Sequence, residues 1–230
     1  MTNRYVFLYA SAMVVVVALL LSGASTLLRP LQERNMRIEK MQNILAAINM
    51  PASRAEAEEL FDRYITTAKI VNHLGEELPG DAFEVELQDE IRKDMAERQL
   101  PVYIANIDGE TFYIVPLRGT GLWGPIWGYV GLESDMVTIA GANFDHASET
   151  PGLGAEIADR AFEEQFRGKR IFDEAGNFRP VRVVKGRAPA GDLYAVDGIT
   201  GGTITSNGVT NMLRDGLEAY KKYFEKIKTS

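Results

Sequence analysis

The stretch PVYIANIDGETFYIVPL, residues 101–117, contains the clearest pattern of β-strands in the chain. Two runs rich in β-branched and aromatic residues flank Asp108 and Gly109. Asp-Gly between such runs is typical of a two-residue hairpin, because a type I′ turn needs positive φ at both central residues. The stretch therefore predicts two neighbouring antiparallel strands.

Further strand-like and helical segments lie on both sides of this hairpin. The predicted strands are TTAKIVN (66–72), GLWGPIWGYVGLE (121–133), MVTIAGANF (136–144), RPVRVVKG (179–186) and DLYAVDGI (192–199). Residues 158–168 predict a helix that ends at Gly168, and a final helix opens near Ser206. Antiparallel strands with helices at intervals indicate an α+β domain with an antiparallel sheet and flanking helices. We also expect at least one of the two tryptophans, Trp123 and Trp127, to lie in the core.

The amino end differs from the rest of the chain. Between Arg4 and Arg29 lie 24 residues without a charge, more than the roughly 20 apolar residues that cross a bilayer. A cleaved signal peptide is the alternative, but its apolar core spans only about 7–15 residues. We predict one uncleaved transmembrane helix. By lysine and arginine count alone, the cations that follow it (Arg29, Arg34, Arg37 and Lys40) put the C-terminal domain in the cytoplasm.

The predicted organisation has three parts. Residues 1–29 form the anchor, residues 30–70 form linker helices, and residues 71–230 form the main domain with a polar insertion near 73–100. The amphipathic pattern of residues 30–50 predicts a helix that Pro51 stops, and Ser53 is the expected N-cap of the next helix.

Composition excludes several classes of function. A net charge of −7 argues against nucleic-acid binding. The absence of cysteine excludes disulfides and iron–sulfur ligation within this chain, and a count of two histidines argues against a histidine-rich metal site. The sequence GLGAEI (152–157) lacks the third glycine of a dinucleotide fingerprint, and no catalytic nucleophile–base pair is recognisable. We therefore predict no catalytic residues and no metal ligands.

The stretch DGITGGTITSNG, residues 197–208, is the best candidate site. Gly201 and Gly202 permit a sharp turn. The helix that follows directs its free amides and positive dipole end at this turn, which favours an anion such as a phosphate near Thr203. A capped helix after a glycine turn, with no ligand, explains the same residues equally well.

Residues 197–203, DGITGGT, resemble the flavinylation motif of the FMN-binding domain family: Asp, two variable residues, Ser or Thr, Gly, Ala, and an acceptor Thr. In that family a flavin transferase joins the FMN phosphate to the last Thr through a phosphoester. The resemblance makes Thr203 the acceptor, with Thr205 as the fallback, and assigns Asp197, Gly198 and Thr200 to recognition by the transferase. This chain departs from the motif at Gly202, where the family usually has Ala.

The resemblance covers nearly the whole chain. An N-terminal membrane helix, GLWGPIWGYVGLE, ETPGLGAEI (149–157) and DGITGGTITSNGV follow one another as in the family of C subunits of sodium-translocating NADH:quinone reductases. The related G subunits of the Rnf ferredoxin:NAD oxidoreductases share the last two stretches, and a G subunit of that kind is the alternative function. The resemblance implies one covalent FMN and an electron-carrier subunit that is not catalytic alone. The implied partners are membrane subunits with flavin and iron–sulfur cofactors. The resemblance also implies that the flavin domain lies on the periplasmic side of a bacterial inner membrane. This disagrees with the lysine and arginine count, which puts the domain in the cytoplasm.

The resemblance also implies roles for individual residues. Gly201 and Gly202 form the turn at the FMN, Thr205 and Ser206 bind phosphate or cap the helix, and Lys169 is a candidate counter-charge. The flat isoalloxazine ring would lie against the residues of the ETPGLG loop, namely Thr150, Leu153 and Gly154. A membrane-anchored assembly or binding module without redox chemistry is the rival from another class.

Overall fold

The computed structural model describes residues 3–228. The chain divides into two compact units, Met1–Lys40 and Met41–Ser230. The domain boundaries after residues 29 and 70 remain a prediction. Residues 1–2 of the predicted anchor and residues 229–230 of the predicted main domain lie outside the described residues.

The first helix, α1 (Asn3–Ala46), is longer than predicted. It spans 44 residues and contains Pro30, where the sequence suggested a boundary between anchor and linker helix. In the described part of the chain it is the one helix long and apolar enough to cross a membrane, with a mean hydropathy of 2.4 in its most apolar window. Its length of about 66 Å is more than twice a bilayer core. The helix ends before Pro51, in a turn where Asn49 has a φ of 59°.

The second unit contains three short helices, one long C-terminal helix and eight strands among the described residues. The helices after α1 are α2 (Ala57–Tyr64), α3 (Leu87–Glu90), α4 (Arg160–Glu163) and α5 (Thr203–Lys228). The strands are β1 (Ile65–Val71), β2 (Glu77–Leu78), β3 (Leu100–Ile107), β4 (Glu110–Thr120), β5 (Pro125–Leu132), β6 (Ile139–His146), β7 (Arg182–Val184) and β8 (Ala195–Asp197). The described residues of this unit also include three 3-10 turns: Met95–Glu97, Gly154–Ala158 and Glu164–Phe166.

The main sheet has six antiparallel strands in the order β2-β1-β3-β4-β5-β6. The predicted hairpin is confirmed: Ile107 pairs with Glu110, and the two turn residues, Asp108 and Gly109, have φ values of 52° and 90°. The α+β class with flanking helices is confirmed as well. The two late strands differ, because β7 and β8 form a separate two-stranded parallel sheet. The crossover through residues 185–194 returns the chain in the same direction, which parallel pairing requires.

Both faces of the main sheet are covered. Helix α5 packs on β4, and its Leu213, Leu217 and Phe224 are fully buried in the larger core. A smaller core on residues of β1, β3 and β4 contains Ile44 and Ile48 from the end of α1 and the turn after it. The sheet is therefore a middle layer, and the long helix α5 is a rigid element that starts next to the candidate site.

Four local predictions are corrected. Helix α2 begins at Ala57, and the Ser53 hydroxyl donates to Glu56 rather than capping the helix. The helix predicted over residues 158–168 is only α4 followed by a 3-10 turn. Neither tryptophan is in the core, since Trp123 is 63% exposed and Trp127 is half-buried beneath Arg118. Helix α5 begins at Thr203, three residues before Ser206.

Candidate functional site

Because α5 begins at Thr203 rather than near Ser206, the glycine turn leads directly into the helix. The Gly202 amide donates to the Ile199 carbonyl at 3.0 Å, and Gly201 has a φ of 76°, as a type II turn requires at its third residue. The Ser206 amide then donates to the Gly202 carbonyl at 2.9 Å, which is the first hydrogen bond of the helix. Thr203 is therefore the first helical residue, directly after the turn.

The hydroxyl side chains of this stretch point to different environments. Thr200 and Thr203 are exposed, whereas Thr205 and Ser206 are buried. The Thr205 hydroxyl donates to a Glu149 carboxylate oxygen at 2.6 Å, and the Ser206 hydroxyl oxygen accepts from the Ile199 amide at 3.3 Å. Thr203 is thus the exposed hydroxyl on the first turn of α5.

The loop of residues 149–154 packs against the glycine turn. A Cβ on Gly201 would lie 2.5 Å from Leu153 Cδ2, so the Leu153 side chain packs directly against the turn. Thr150 closes the loop, since its carbonyl accepts from the Leu153 and Ala155 amides at 3.1 Å each. The structure therefore brings Thr150, Leu153 and Gly154 to the same place as Gly201 and Gly202.

Asp197 and Gly198 shape the approach to the turn. An Asp197 carboxylate oxygen accepts from the Ala188 amide at 2.7 Å, and the Asp197 amide donates to Gln165 at 2.8 Å. Gly198 lies so close to the Val184 carbonyl that a side chain would overlap it. Both residues line an open cleft of about 400 Å³ beside the turn, together with two further carboxylates, Glu156 and Asp159. The neighbouring Asp159 raises the pKa of Glu156.

Lys169 is not brought to this turn. Its backbone bonds to Ile139, the first residue of β6, and its ammonium donates to the Asp192 carbonyl at 2.6 Å. The candidate loop follows the other end of β6, after His146. Eight residues of antiparallel strand separate the two ends by about 24 Å.

Sequence reasoning missed Glu149, which connects three segments of the site. Its side chain is 4% exposed, and it accepts hydrogen bonds from the Thr205 hydroxyl and from the Trp123 amide. Glu149 is the first residue of the ETPGLG stretch, but no local sequence pattern there indicates that its side chain is buried.

Large apolar side chains are exposed on the same three segments. We name the set of Leu122, Trp123, Leu153 and Ile204, which are 46%, 63%, 41% and 56% exposed, the apolar ledge. Exposed apolar groups that gather in one region are typical of a binding surface. The first turn of α5 contains no acidic residue, so its free amides and dipole favour an anion there. A ligand with a phosphate at one end and a flat apolar ring at the other suits this combination.

The comparison with known proteins agrees with that description. Residues 121–218 match the model of the FMN-binding domain family. The match includes the Trp123 loop, the Thr150–Gly154 loop, the glycine turn and the first part of α5, so these elements belong to a flavin-binding class of domain.

The relatives define the family more narrowly. The C subunit of the Na(+)-translocating NADH-quinone reductase from Yersinia pestis is 32% identical over 217 residues, covering 85% of this chain and 81% of its own. The crystal structure of the same subunit from Parabacteroides distasonis has a TM-score of 0.80 and 47% identity, covering 86% of this chain and 96% of its own. The crystal structure of Shewanella oneidensis NqrC has a TM-score of 0.74 and 28% identity, covering 84% and 98%. The chain belongs to the NqrC family, the C subunits of Na(+)-translocating NADH-quinone reductases.

Proposed function

We propose that this protein is a membrane-anchored electron-carrier subunit of a Na(+)-translocating NADH-quinone reductase, with one FMN joined to Thr203 through a phosphoester. The observation that carries the proposal is the exposed Thr203 hydroxyl at the first position of α5, on a family-matched turn. Bound FMN supplies the redox chemistry, and the protein supplies attachment, orientation and electrostatics.

Attachment needs an accessible hydroxyl and a place for the phosphate. Thr203 offers both, because its side chain is exposed while the first-turn amides of α5 have no partner within the helix. Thr205, the fallback acceptor, is only 1% exposed and donates to Glu149, so exposure favours Thr203. In this proposal Thr205 and Ser206 hold the turn from beneath rather than accept the flavin.

The covalent step balances only with an activated donor. Esterification by free FMN would have to expel water, so the flavin transferase would need a donor with a phosphoanhydride bond, such as a flavin dinucleotide. With that donor, the Thr203 oxygen would form a new bond to the FMN phosphorus, the phosphoanhydride bond would break, and a nucleoside monophosphate would leave. The hydroxyl proton passes to a base of the transferase. In this step Asp197, Gly198 and Thr200 present the turn to that enzyme.

The ring would lie against the apolar ledge and the Thr150–Gly154 loop. Leu153 and Trp123 present exposed apolar surface to the ring, and Gly154 lies beneath them, where its missing side chain leaves room for the Glu149 carboxylate. A tethered group has an effective local concentration of order millimolar, so covalent attachment prevents loss of the flavin. An FMN exposed on this ledge is accessible to the flavin and iron–sulfur subunits with which it would exchange electrons.

A set of Thr203 variants tests the attachment. The full chain is co-expressed with a flavin transferase and run on a denaturing gel under ultraviolet light, with intact mass as a second readout. The wild type and Thr203→Ser are expected to carry a fluorescent band, and Thr203→Val, which keeps the shape without the hydroxyl, is expected to carry none. A band in Thr203→Val that disappears in Thr205→Val would make Thr205 the acceptor. A wild type that never takes up flavin would favour the anchored module without redox chemistry.

We propose further that the domain after α1 lies on the periplasmic side of the inner membrane. Long domains translocate largely regardless of flanking charge, so the four cations at Arg29, Arg34, Arg37 and Lys40 do not forbid export. Alkaline phosphatase fused after residue 230 is expected to be active in intact cells. An inactive phosphatase, together with an active cytoplasmic reporter at the same position, would show that the domain lies in the cytoplasm.

A further inference from the structure

Glu149 is a buried carboxylate at the centre of the candidate site. Its side chain is 4% exposed. Because a buried charge is costly unless it is hydrogen-bonded, the contacts of this carboxylate indicate what it stabilises.

Each carboxylate oxygen accepts a hydrogen bond from a different segment. Oε2 accepts from the Thr205 hydroxyl in the first turn of α5 at 2.6 Å, and Oε1 accepts from the Trp123 amide in the loop between β4 and β5 at 2.8 Å. The Glu149 backbone amide donates to His146 Nδ1, at the end of β6, at 3.2 Å. One residue therefore connects three segments that are distant in sequence.

Two glycines leave just enough space for this carboxylate. A Cβ on Gly121 would lie 2.5 Å from Glu149 Oε1, and a Cβ on Gly154 would overlap Oε2 and lie 2.5 Å from Thr205 Oγ1. The glycines at these two positions are thus explained by the buried carboxylate, and its position is sterically defined from both sides.

We propose that Glu149 is the positioning residue of the flavin site. By joining the Trp123 loop, the Thr150–Gly154 loop and the first turn of α5, it holds the Thr203 hydroxyl and the apolar ledge in one arrangement. The inference rests on the proposed function, since it assigns the site to an attached flavin. The carboxylate does not take part in the attachment chemistry, because it is bonded to Thr205 beneath the turn.

The charge of Glu149 has a consequence that a purely structural group would lack. Reduction adds negative charge to a bound flavin, and a fixed carboxylate nearby opposes this addition. Glutamine at this position can still accept from the Trp123 amide and can donate to the Thr205 hydroxyl oxygen. Glu149→Gln therefore keeps the connections but removes the charge, whereas Glu149→Ala removes both.

Glu90 is a matched control in the same chain. It is 6% exposed, and its carboxylate accepts from the Lys93 ammonium at 2.7 Å and from the Gln99 amide at 2.8 Å. It lies in the polar insertion, between β2 and β3, rather than among the segments joined by Glu149. Alanine and glutamine variants at position 90 therefore report the general cost of removing a buried carboxylate.

The test uses the full chain co-expressed with a limiting amount of flavin transferase. Because Glu149→Ala leaves the Trp123 amide and the buried Thr205 hydroxyl without their acceptor, its flavinylation is expected to fall about tenfold. Flavinylation of Glu149→Gln is expected to recover, with a midpoint potential above that of the wild type. Both Glu90 variants are expected to keep wild-type flavinylation and potential. A Glu149→Ala protein that is flavinylated as well as Glu90→Ala, or an unchanged potential in Glu149→Gln, would overturn the proposal.

Amide hydrogen exchange supplies a readout that needs no flavin. Residues 121–124 and 199–205 are expected to exchange about tenfold faster or more in Glu149→Ala than in the wild type, and Glu90→Ala is expected to leave them unchanged. Wild-type exchange rates in Glu149→Ala would overturn the positioning role. If the wild type takes up no flavin, the proposed function fails, while the exchange rates still decide whether Glu149 holds these segments together.

Discussion

Gly154→Ala is the substitution that most directly probes the packing of the site. The new methyl group would overlap Glu149 Oε2 and lie 2.5 Å from Thr205 Oγ1, so the 2.6 Å hydrogen bond between these two side chains must break. Loss of a hydrogen bond to a charged group costs about 1.5–3 kcal/mol, and overpacking adds about 1–3 kcal/mol. The lower freedom of alanine in the unfolded chain returns about 0.4–1 kcal/mol. The expected net loss in the free energy of unfolding is about 2–5 kcal/mol.

Urea-induced unfolding of the full chain in detergent, followed by tryptophan fluorescence, measures this loss. Gly152→Ala is the matched control, because Gly152 lies in the same loop with open space around it and a φ of 75°. Its cost is backbone strain alone, about 1 kcal/mol after the unfolded-state gain. A Gly154→Ala protein no less stable than Gly152→Ala would show that the loop moves aside without cost.

A double-mutant cycle tests the mechanism of the loss. If Gly154→Ala acts by breaking the Glu149–Thr205 bond, that bond is already absent in Thr205→Val. The double variant should then be more stable than the sum of the single losses predicts, by about 1.5–3 kcal/mol, because that sum counts the loss of the same bond twice. Strict additivity would mean that the methyl group and the hydrogen bond are independent, which the geometry forbids.

The remaining predictions concern Glu163 and Lys169. Burial raises the pKa of Glu163 to about 7 from its ordinary 4.5, and its carboxylate accepts from the Phe144 amide at 2.7 Å. The folded protein therefore binds more protons than the unfolded one between about pH 4.5 and 7, so the stability that Glu163 contributes at low pH is lost as the pH rises through this window. The loss in the free energy of unfolding is about 1–2 kcal/mol once solvent screening is taken into account. Glu163→Gln should therefore make the free energy of unfolding in urea depend less on pH. The same pH dependence in Glu163→Gln and the wild type would contradict a raised pKa at Glu163. Lys169→Ala should leave flavinylation and the midpoint potential of the flavin unchanged, because Lys169 lies beside the first residue of β6, away from the candidate site. Both quantities are measured alongside Glu149→Gln. A change in either one in Lys169→Ala would contradict this position of Lys169.

Much of the fold was predictable because it is encoded in short patterns. The Asp108-Gly109 hairpin needs only a turn with two positive φ angles between β-rich runs, and α1 needs only an apolar run of sufficient length. Predictions that depend on partners distant in sequence were less successful. The parallel pairing of β7 with β8 and the exposure of Trp123 follow from how the chain crosses over and packs, and no local pattern reports either.

The class of domain, the glycine turn and the set of hydroxyls from which an acceptor must come all follow from the amino-acid sequence alone. The choice among those hydroxyls follows from the folded structure. Residues two apart on a helix point about 200° apart, so a helix that starts at Thr203 exposes that residue and turns Thr205 into the core. Only the folded chain brings Glu149 beneath Thr205 and leaves Lys169 at the opposite end of β6, because both placements depend on how β6 is connected to the segments packed around it.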